Sequence, residues 1–233
     1  MNQEKISGMK KGAAIFAVKF IRSGMSVGLG SGSTAIFAIE EIAHRLNKGE
    51  ISDLFCIPSS EETKRNALSM NIKVYGFDKV KRLDINIDGA DEVDKKGNLI
   101  KGGGGALLRE KILAQNSNRN IVIIDETKLS DKLGEKWHLP VEVLPFCWQA
   151  EAAYIESLGA KVSLRVEKDK QPLITDQENF ILDCNFGIIS NPEKLTRLLE
   201  YRAGIVENGL FLNTTNDIVT GKPGGIDHKQ IKR

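Results

Sequence analysis

The chain is short of cysteine, and the three it has cannot be paired by spacing. Cys56, Cys147 and Cys184 are odd in number and far apart, which excludes a disulfide framework and the close pairs of a zinc site. A reducing, cytoplasmic setting is the expectation. Histidine is equally scarce: His44, His138 and His228 are isolated from one another, and none has a Cys or His partner at metal-ligand spacing. Charge of one sign is also lacking. Lys and Arg number 33 against 31 Asp and Glu, a net of +2, so there is no overall electrostatic drive toward nucleic acid or anionic lipid, only room for a local basic pocket. Long apolar runs are absent too. Lys5, Lys10, Lys11, Lys19 and Arg22 interrupt the N-terminal region, leaving no apolar core of signal-peptide length. The longest uncharged stretch, Ser23 to Ile39, is broken by Gly24, Gly28, Gly30 and Gly32 and is too short to span a bilayer. No internal repeat or low-complexity tract is present. A soluble protein with a small-molecule partner, no nucleic acid and no membrane is expected.

What is present is ordinary globular material: 233 residues, 41% hydrophobic and 27% charged, enough for one large domain or one domain with a smaller companion. Ile6, Met9, Ala13, Phe16, Ala17 and Phe20 recur at steps of three and four, which predicts a first helix. A strand at Met25 to Leu29, a Gly/Ser turn and a helix from Thr34 follow. The alternation continues with strands at Leu54 to Ile57, Lys73 to Tyr75 and Leu83 to Ile87, a helix at Glu61 to Ser69, a helix at Ala106 to Asn116 and a strand at Ile121 to Ile124. Such alternation indicates a mostly parallel α/β sheet with helices on both faces. From Leu139 the rhythm changes to helix, two strands and helix, suggesting a small α+β domain, after which Ile205 to Asn213 and Asp217 to Thr220 are expected to return to the first sheet. The predicted division is 1–134 with 205–233 as one domain and 135–204 as the other.

Three constellations have chemical content. Gly28-Leu-Gly-Ser-Gly-Ser-Thr34 lies between a strand and a helix, where glycines admit a ligand close to the backbone and free N–H groups with the helix dipole favour an anion such as phosphate. It is neither a Walker A loop nor G-x-G-x-x-G, since Ser33 stands at the third glycine position, and a tight turn capped by Ser33 or Thr34 is the plainer reading. Asp84-Ile-Asn-Ile-Asp88-Gly-Ala-Asp91-Glu92 gathers carboxylates at a strand end. It begins like a calcium loop but has Lys95 where the bidentate Glu belongs, so calcium is excluded, while a magnesium pair at Asp88 and Asp91 or a solvated acidic turn stays open.

The third is Lys101-Gly-Gly-Gly-Gly-Ala-Leu-Leu-Arg-Glu110. Four glycines are entropically expensive in a loop that merely connects, so a ligand-facing backbone is the better explanation. Glu110 has Ala106, Leu107, Leu113 and Ala114 at three and four residues, with no Lys or Arg among them. It therefore belongs on the buried stripe, where desolvation would raise its pKa toward that of a general base, unless it is an ordinary first-turn Glu favoured by the dipole. Lys128, after the strand Ile121 to Ile124, could reach a sugar hydroxyl or phosphate, although lone loop lysines are usually solvated.

In this order and spacing, Gly28-Leu-Gly-Ser-Gly-Ser-Thr-Ala, Asp88-Gly-Ala-Asp-Glu and Lys101-Gly-Gly-Gly-Gly-Ala-Leu-Leu-Arg-Glu-Lys resemble the type A ribose-5-phosphate isomerase family. The resemblance continues through Leu139-Pro-Val-Glu-Val, Thr175-Asp, Ile181-Leu-Asp and Asn208-Gly-Leu-Phe, and so covers nearly the whole chain. It implies a Rossmann-like sheet with a smaller domain inserted before the C-terminal strands. It also implies metal-free, cofactor-free interconversion of ribose 5-phosphate and ribulose 5-phosphate in the non-oxidative pentose phosphate pathway, by a homodimer or higher homo-oligomer.

Carried over by motif, Glu110 is the proton acceptor, with Asp88, Asp91 and Lys101 around the reacting end of the sugar. Ser31, Gly32, Ser33, Thr34, Asp88, Gly89, Ala90, Asp91, Lys101, Gly102, Gly103, Gly104 and Lys128 are implied to bind substrate, with the family's N-terminal helix lysine at Lys10 and Lys11 adjacent to it. Gln177-Glu178 and the segment Asn213 to Asn216 depart from the family pattern. The alternative is a sugar-phosphate sensor of the same fold without turnover. Such modules usually carry a DNA-binding domain, and here a short segment precedes the first strand. A nucleotide-cofactor oxidoreductase would need an acidic residue at a strand end about 20 positions past the glycines, and Asp53 stands at a strand start.

Overall fold

The computed structural model describes residues 3–231, so the outermost two residues at each end of the expected domain ranges lie outside the described residues. The first half of the chain forms α1 (Gln3–Val18), β1 (Ser26–Leu29), α2 (Gly32–Asn47), β2 (Phe55–Pro58), α3 (Glu61–Ser69), β3 (Ile85–Asp88), β4 (Glu92–Val93), β5 (Leu99–Ile100) and α4 (Leu107–Gln115). The second half forms β6 (Asn120–Asp125), β7 (Leu139–Val143), α5 (Trp148–Ser157), β8 (Lys161–Leu164), β9 (Phe180–Asn185), α6 (Pro192–Glu200), β10 (Ile205–Asn208), β11 (Leu210–Phe211), β12 (Asp217–Lys222) and β13 (Gly225–Gln230). Backbone contacts group these into two units. The first comprises Met1–Ala90, Arg109–Thr127 and Thr214–Arg233, and the second Asp91–Leu108 and Lys128–Asn213.

The first unit is a six-stranded sheet in the order β13-β12-β6-β3-β1-β2, parallel from β12 to β2, with β13 antiparallel at the edge. Alternation decides which face each residue joins. Val27, Leu29, Cys56, Ile85, Ile87, Ile121, Ile123 and Val219 all enter one core with Ala13, Ala17, Ile39, Ile42 and Ala67 from α1, α2 and α3. Ile57, on the opposite face from Cys56, packs with Val80, Leu83 and Leu113 of α4. The mostly parallel sheet with helices on both faces is thus present. Because β1 lies between β2 and β3, the strand order reverses there, and the carboxyl ends of β1 and β3 flank the place where open α/β sheets take their ligands.

The second unit holds two antiparallel sheets, β10-β7-β9-β8 and β11-β5-β4. Leu139, Val141 and Val143 of β7 and Leu182 and Cys184 of β9 pack on Ile155 of α5 and Leu195 and Leu199 of α6. Pro192 opens α6, and the N-cap Asn191 side chain accepts the Lys194 N–H at 2.9 Å.

Several elements differ from expectation. Lys73 to Tyr75 contributes only a single bridge, Cys56 to Val74, rather than a strand. Ile205 to Asn213 does not return to the parallel sheet: β10 pairs with β7, and β11 pairs with β5. The change of partner occurs at Gly209, whose N–H donates to Pro140 O at 2.8 Å and whose O accepts the Lys101 N–H at 3.0 Å. A side chain there would come within 2.4 Å of Lys101 O, so only glycine permits the crossing. β12 does join the first sheet, and β13 extends it as a largely exposed, charged edge strand without the apolar period that would have announced it. The contact grouping also differs from the predicted division at 134/135 and 204/205. Glu92 is the physical link: its buried carboxylate accepts the N–H groups of Gly134, Glu135 and Lys136 at 2.9, 3.1 and 3.1 Å, tying the segment after Ala90 to the later chain.

Candidate active site

In the first unit, the end of β1 and the end of β3 meet closely. Gly30 N–H donates to Ile87 O at 3.0 Å, and Asp88 Oδ1 accepts the N–H of Ser31 at 3.1 Å and of Gly89 at 2.7 Å. A β-carbon on Gly30 would lie 2.2 Å from Asp88 Oδ1 and 2.6 Å from its Cα, which is the close approach that requires glycine here. The helix α2 starts at Gly32, at φ +87°, two residues before the expected Thr34. Its N-cap Ser31 makes no side-chain capping bond. The Ser31 hydroxyl instead meets Ser59 Oγ at 2.6 Å, Ser60 Oγ at 3.1 Å and Thr63 Oγ1 at 3.2 Å, while Thr63 Oγ1 donates to Gly30 O at 3.0 Å. The expected cap at Ser33 or Thr34 is therefore not the N-cap: both residues lie inside α2, and Ser31 at the N-cap makes no side-chain capping bond.

Lys10, rather than Lys11, points to this loop: its Nζ donates to Ser33 Oγ at 2.9 Å from α1. Thr34 is buried, and a β-carbon on Gly89 would be 3.8 Å from Thr34 Cβ, so the Asp88-Gly89-Ala90 turn runs against the first turn of α2. Lys10, Ser31 to Thr34 and Asp88 to Ala90 are thus one assembly. Glu110 belongs to the same unit. It is 5% exposed on α4, with Leu107, Leu113 and Ala114 buried beside it as its spacing predicted.

In the second unit, Asp91 Oδ2 accepts the Gly103 N–H at 2.8 Å, and Lys101, 4% exposed, lies over the Phe211 ring at 5.6 Å. Gly102 sits at φ +104°, where a side chain would strike Leu107 Cβ at 2.9 Å. Lys128 is half-buried with its ammonium 4.9 Å from the centre of the Trp137 ring, and the same ring edge lies 3.0 Å from where a Gly103 β-carbon would be. Asp91, Gly103, Trp137 and Lys128 are therefore neighbours.

The acidic run does not act as one cluster. Asp84 is at the other end of β3, accepting Ser26 N–H and Oγ–H at 2.8 Å each, and Glu92 is consumed by its three backbone donors. Asp88 stands beside the first glycine loop, on the Ser31 N–H, and Asp91 beside the second, on the Gly103 N–H. Among the described residues no group of three or more His, Cys, Asp or Glu is arranged to hold a metal ion, and no helix is long and apolar enough to cross a membrane. Sequence reasoning missed Ser59, Ser60, Thr63 and Trp137. The first three announce themselves only as an N-cap and first turn, and nothing local marks the tryptophan.

The family model for ribose 5-phosphate isomerase A (phosphoriboisomerase A) matches residues 55–225, a stretch that includes Asp88, Asp91, Lys101 and Glu110. The chain belongs to the ribose 5-phosphate isomerase A family. A ribose-5-phosphate isomerase A of Desulfatibacillum aliphaticivorans is 50% identical over 94% of this chain and 95% of its own length. That of Thermococcus kodakarensis is 42% identical over the full length of both. Among solved structures, a D-ribose-5-phosphate isomerase in complex with phospho-erythronic acid superposes with a TM-score of 0.95 at 39% identity, covering 99% of this chain and 100% of its own. The ribose 5-phosphate isomerase of Plasmodium falciparum gives 0.94 at 34% identity over 97% and 100%.

Proposed function

We propose that this chain is an aldose–ketose isomerase that interconverts D-ribose 5-phosphate and D-ribulose 5-phosphate through a cis-enediol. Family membership carries the reading: the family model spans the acidic run and the second glycine loop, and relatives align over 94% or more of the chain. The phosphate is assigned to the N-terminus of α2, where Lys10 supplies a positive charge, Ser33 and Thr34 supply hydroxyls and the helix dipole adds its field. Asp88, with or without Asp91, exchanges protons as the furanose ring opens.

The carboxylate of Glu110 then removes the C2 proton. The C2–H electron pair forms the C1=C2 bond, and the carbonyl π pair moves to O1. Lys101 and the glycine-run amides stabilise that developing charge; preorganised donors of this kind are worth about 3–4 kcal/mol each. A proton passes from O2 to O1, Glu110 returns its proton to C1, and the C2 carbonyl forms. Burial of Glu110, with Leu113 and Ala114 also buried on the same helix, keeps bulk water from the carboxylate during both proton transfers. No cofactor enters the proposed sequence. The three unpaired thiols accord with a cytoplasmic setting, and the 95% exposed Phe146 offers apolar surface that a second copy would cover in a homodimer.

The test is direct. Purified protein given ribose 5-phosphate should form the ketopentose phosphate in the presence of EDTA. Tight binding without turnover would favour the sensor reading. Activity that EDTA abolishes and magnesium or manganese restores would make Asp88 and Asp91 metal ligands instead.

A further inference from the structure

The glycine run after β5 is held by a side chain 63 residues further on. Arg165 immediately follows β8, and its own backbone is fixed, with its N–H on Ile181 O at 2.8 Å and its O accepting the Leu173 N–H at 3.0 Å. One edge of its guanidinium engages Asp183: Nε donates to Oδ2 at 2.9 Å and Nη2 to Oδ1. The remaining nitrogen, Nη1, donates to two successive carbonyls, Gly102 O at 2.7 Å and Gly103 O at 3.0 Å. The side chain is 13% exposed. Register explains the pairing: Ser163 lies opposite Asp183, so Arg165, two residues on, is its diagonal neighbour on the same face. A planar, rigid fork is what this geometry demands, and a lysine ammonium lacks it.

These contacts determine which way the glycine amides face. A trans peptide plane puts its C=O and the next N–H in opposite directions. For the Gly102–Gly103 plane both ends are taken, the carbonyl by Arg165 and the N–H by Asp91 Oδ2 at 2.8 Å. For the Gly103–Gly104 plane Arg165 takes the carbonyl, so the Gly104 N–H is turned away from the guanidinium, on a residue that is exposed and has open space around it. The Gly105 N–H also donates to Gly102 O at 3.0 Å, closing a turn, and within that turn Arg165 adds a side-chain hold on both successive carbonyls.

We propose that Arg165, braced by Asp183, is a positioning residue for the isomerisation: it presents the Gly104 N–H to the enediolate oxygen and steadies Asp91 through Gly103. The proposal rests on the site assignment above. Its signature is a loss in kcat rather than in KM, because the donor acts on charge that develops only in the transition state while the phosphate is held elsewhere.

The experiment compares Arg165→Ala, Arg165→Lys, Asp183→Asn, Arg202→Ala and Glu110→Gln. Arg165→Ala should lose about 10²- to 10³-fold in kcat with KM changed less than about threefold, the usual effect of a misplaced oxyanion donor. Millimolar guanidinium should restore part of the loss in Arg165→Ala and none in Glu110→Gln. Arg202→Ala removes a comparable fork, to Glu151 at 2.8 and 3.2 Å in the same unit, and should lower the melting temperature while leaving kcat unchanged. If Arg165→Ala does not fold, a kcat loss at constant KM in Arg165→Lys or Asp183→Asn supports the proposal, and wild-type kcat in both overturns it. Wild-type kcat in folded Arg165→Ala, or a loss confined to KM, also overturns it. An active Glu110→Gln would instead remove the site assignment.

Discussion

Replacing Gly30 by Ala probes whether the end of β1 and Asp88 are as close as the fold requires. The new methyl would sit 2.2 Å from Asp88 Oδ1, 2.4 Å from Cγ and 2.6 Å from Cα, against ordinary carbon contacts of about 3.5–4.0 Å. A carboxylate can swing aside, but the Cα belongs to β3. That strand is held in parallel register with β1 and by Gly30 N–H on Ile87 O, so about 1 Å must come from separating the two strands. Overpacking against backbone belongs at the upper end of its usual range, about 3 kcal/mol. For a chain of this size each kcal/mol lowers Tm by about 2–4 °C, so a fall of about 6–12 °C is expected. Displacing the carboxylate also releases the Ser31 and Gly89 amides, and a shift of about 1 Å at a reacting group costs about 10²-fold in kcat/KM. Calorimetry and steady-state kinetics on the same preparation measure both effects. Gly8→Ala, an added methyl on α1 with nothing within 4 Å, is the control and should be neutral or slightly stabilising. Should Gly30→Ala melt within about 1 °C of wild type and keep half its kcat/KM, the reasoning about this junction and about Asp88 is refuted.

Other expectations are briefer. Glu110→Gln keeps side-chain size and helix propensity but cannot accept the C2 proton, so it should fold normally and lose at least about 10²- to 10⁴-fold in rate. A well-folded variant retaining more than about a tenth of the activity would take Glu110 out of the mechanism. Ser33→Ala or Thr34→Ala should raise KM more than it lowers kcat, since contacts to a remote phosphate are largely uniform binding; the reverse split would mean that this loop acts on the transition state. Asp217 is a pH lever: burial alone would raise its pKa, but hydrogen bonds from Arg119 and His228 hold it below the ordinary carboxylate range. A depressed folded pKa stabilises the protein above the unfolded value and ceases to as pH falls through the folded one. Asp217→Asn should therefore melt lower than wild type at pH 7, with the gap closing on acidification, and a gap that stays constant down to the acid limit would contradict this.

Local pattern specified a great deal. The helix Glu61–Ser69 was readable to the residue, because Ser60 caps it and acidic residues fill its first turn. Glu110 is buried as its spacing predicts, with Leu107, Leu113 and Ala114 buried as well, while Ala106 precedes α4 and is half-buried; the glycine loops mark the strand ends. All of these depend on residues within about one helical turn or one β-turn of each other, where sequence separation and spatial separation coincide. Motif order extended this to the family, since three short loops with fixed spacing are far more specific together than any one alone.

Only the tertiary structure decided which partner each segment takes. Nothing near Asp84 says that Ser26 binds it at the far end of β3, or that Glu92 serves three backbone amides more than 40 residues away. The crossing at Gly209, the edge strand β13 and the Ser31 hydroxyl cluster are likewise long-range outcomes. Arg165 is the clearest case. Its sequence neighbours are Leu164 and Val166, and its meaning comes from two glycine carbonyls and an aspartate that the antiparallel register of β8 and β9 brings to it. Periodicity reports which face a side chain occupies, whereas a hydrogen bond between distant residues exists only once the sheets have paired, and so the residues proposed for the site were legible in the sequence while the long-range contacts around them were not.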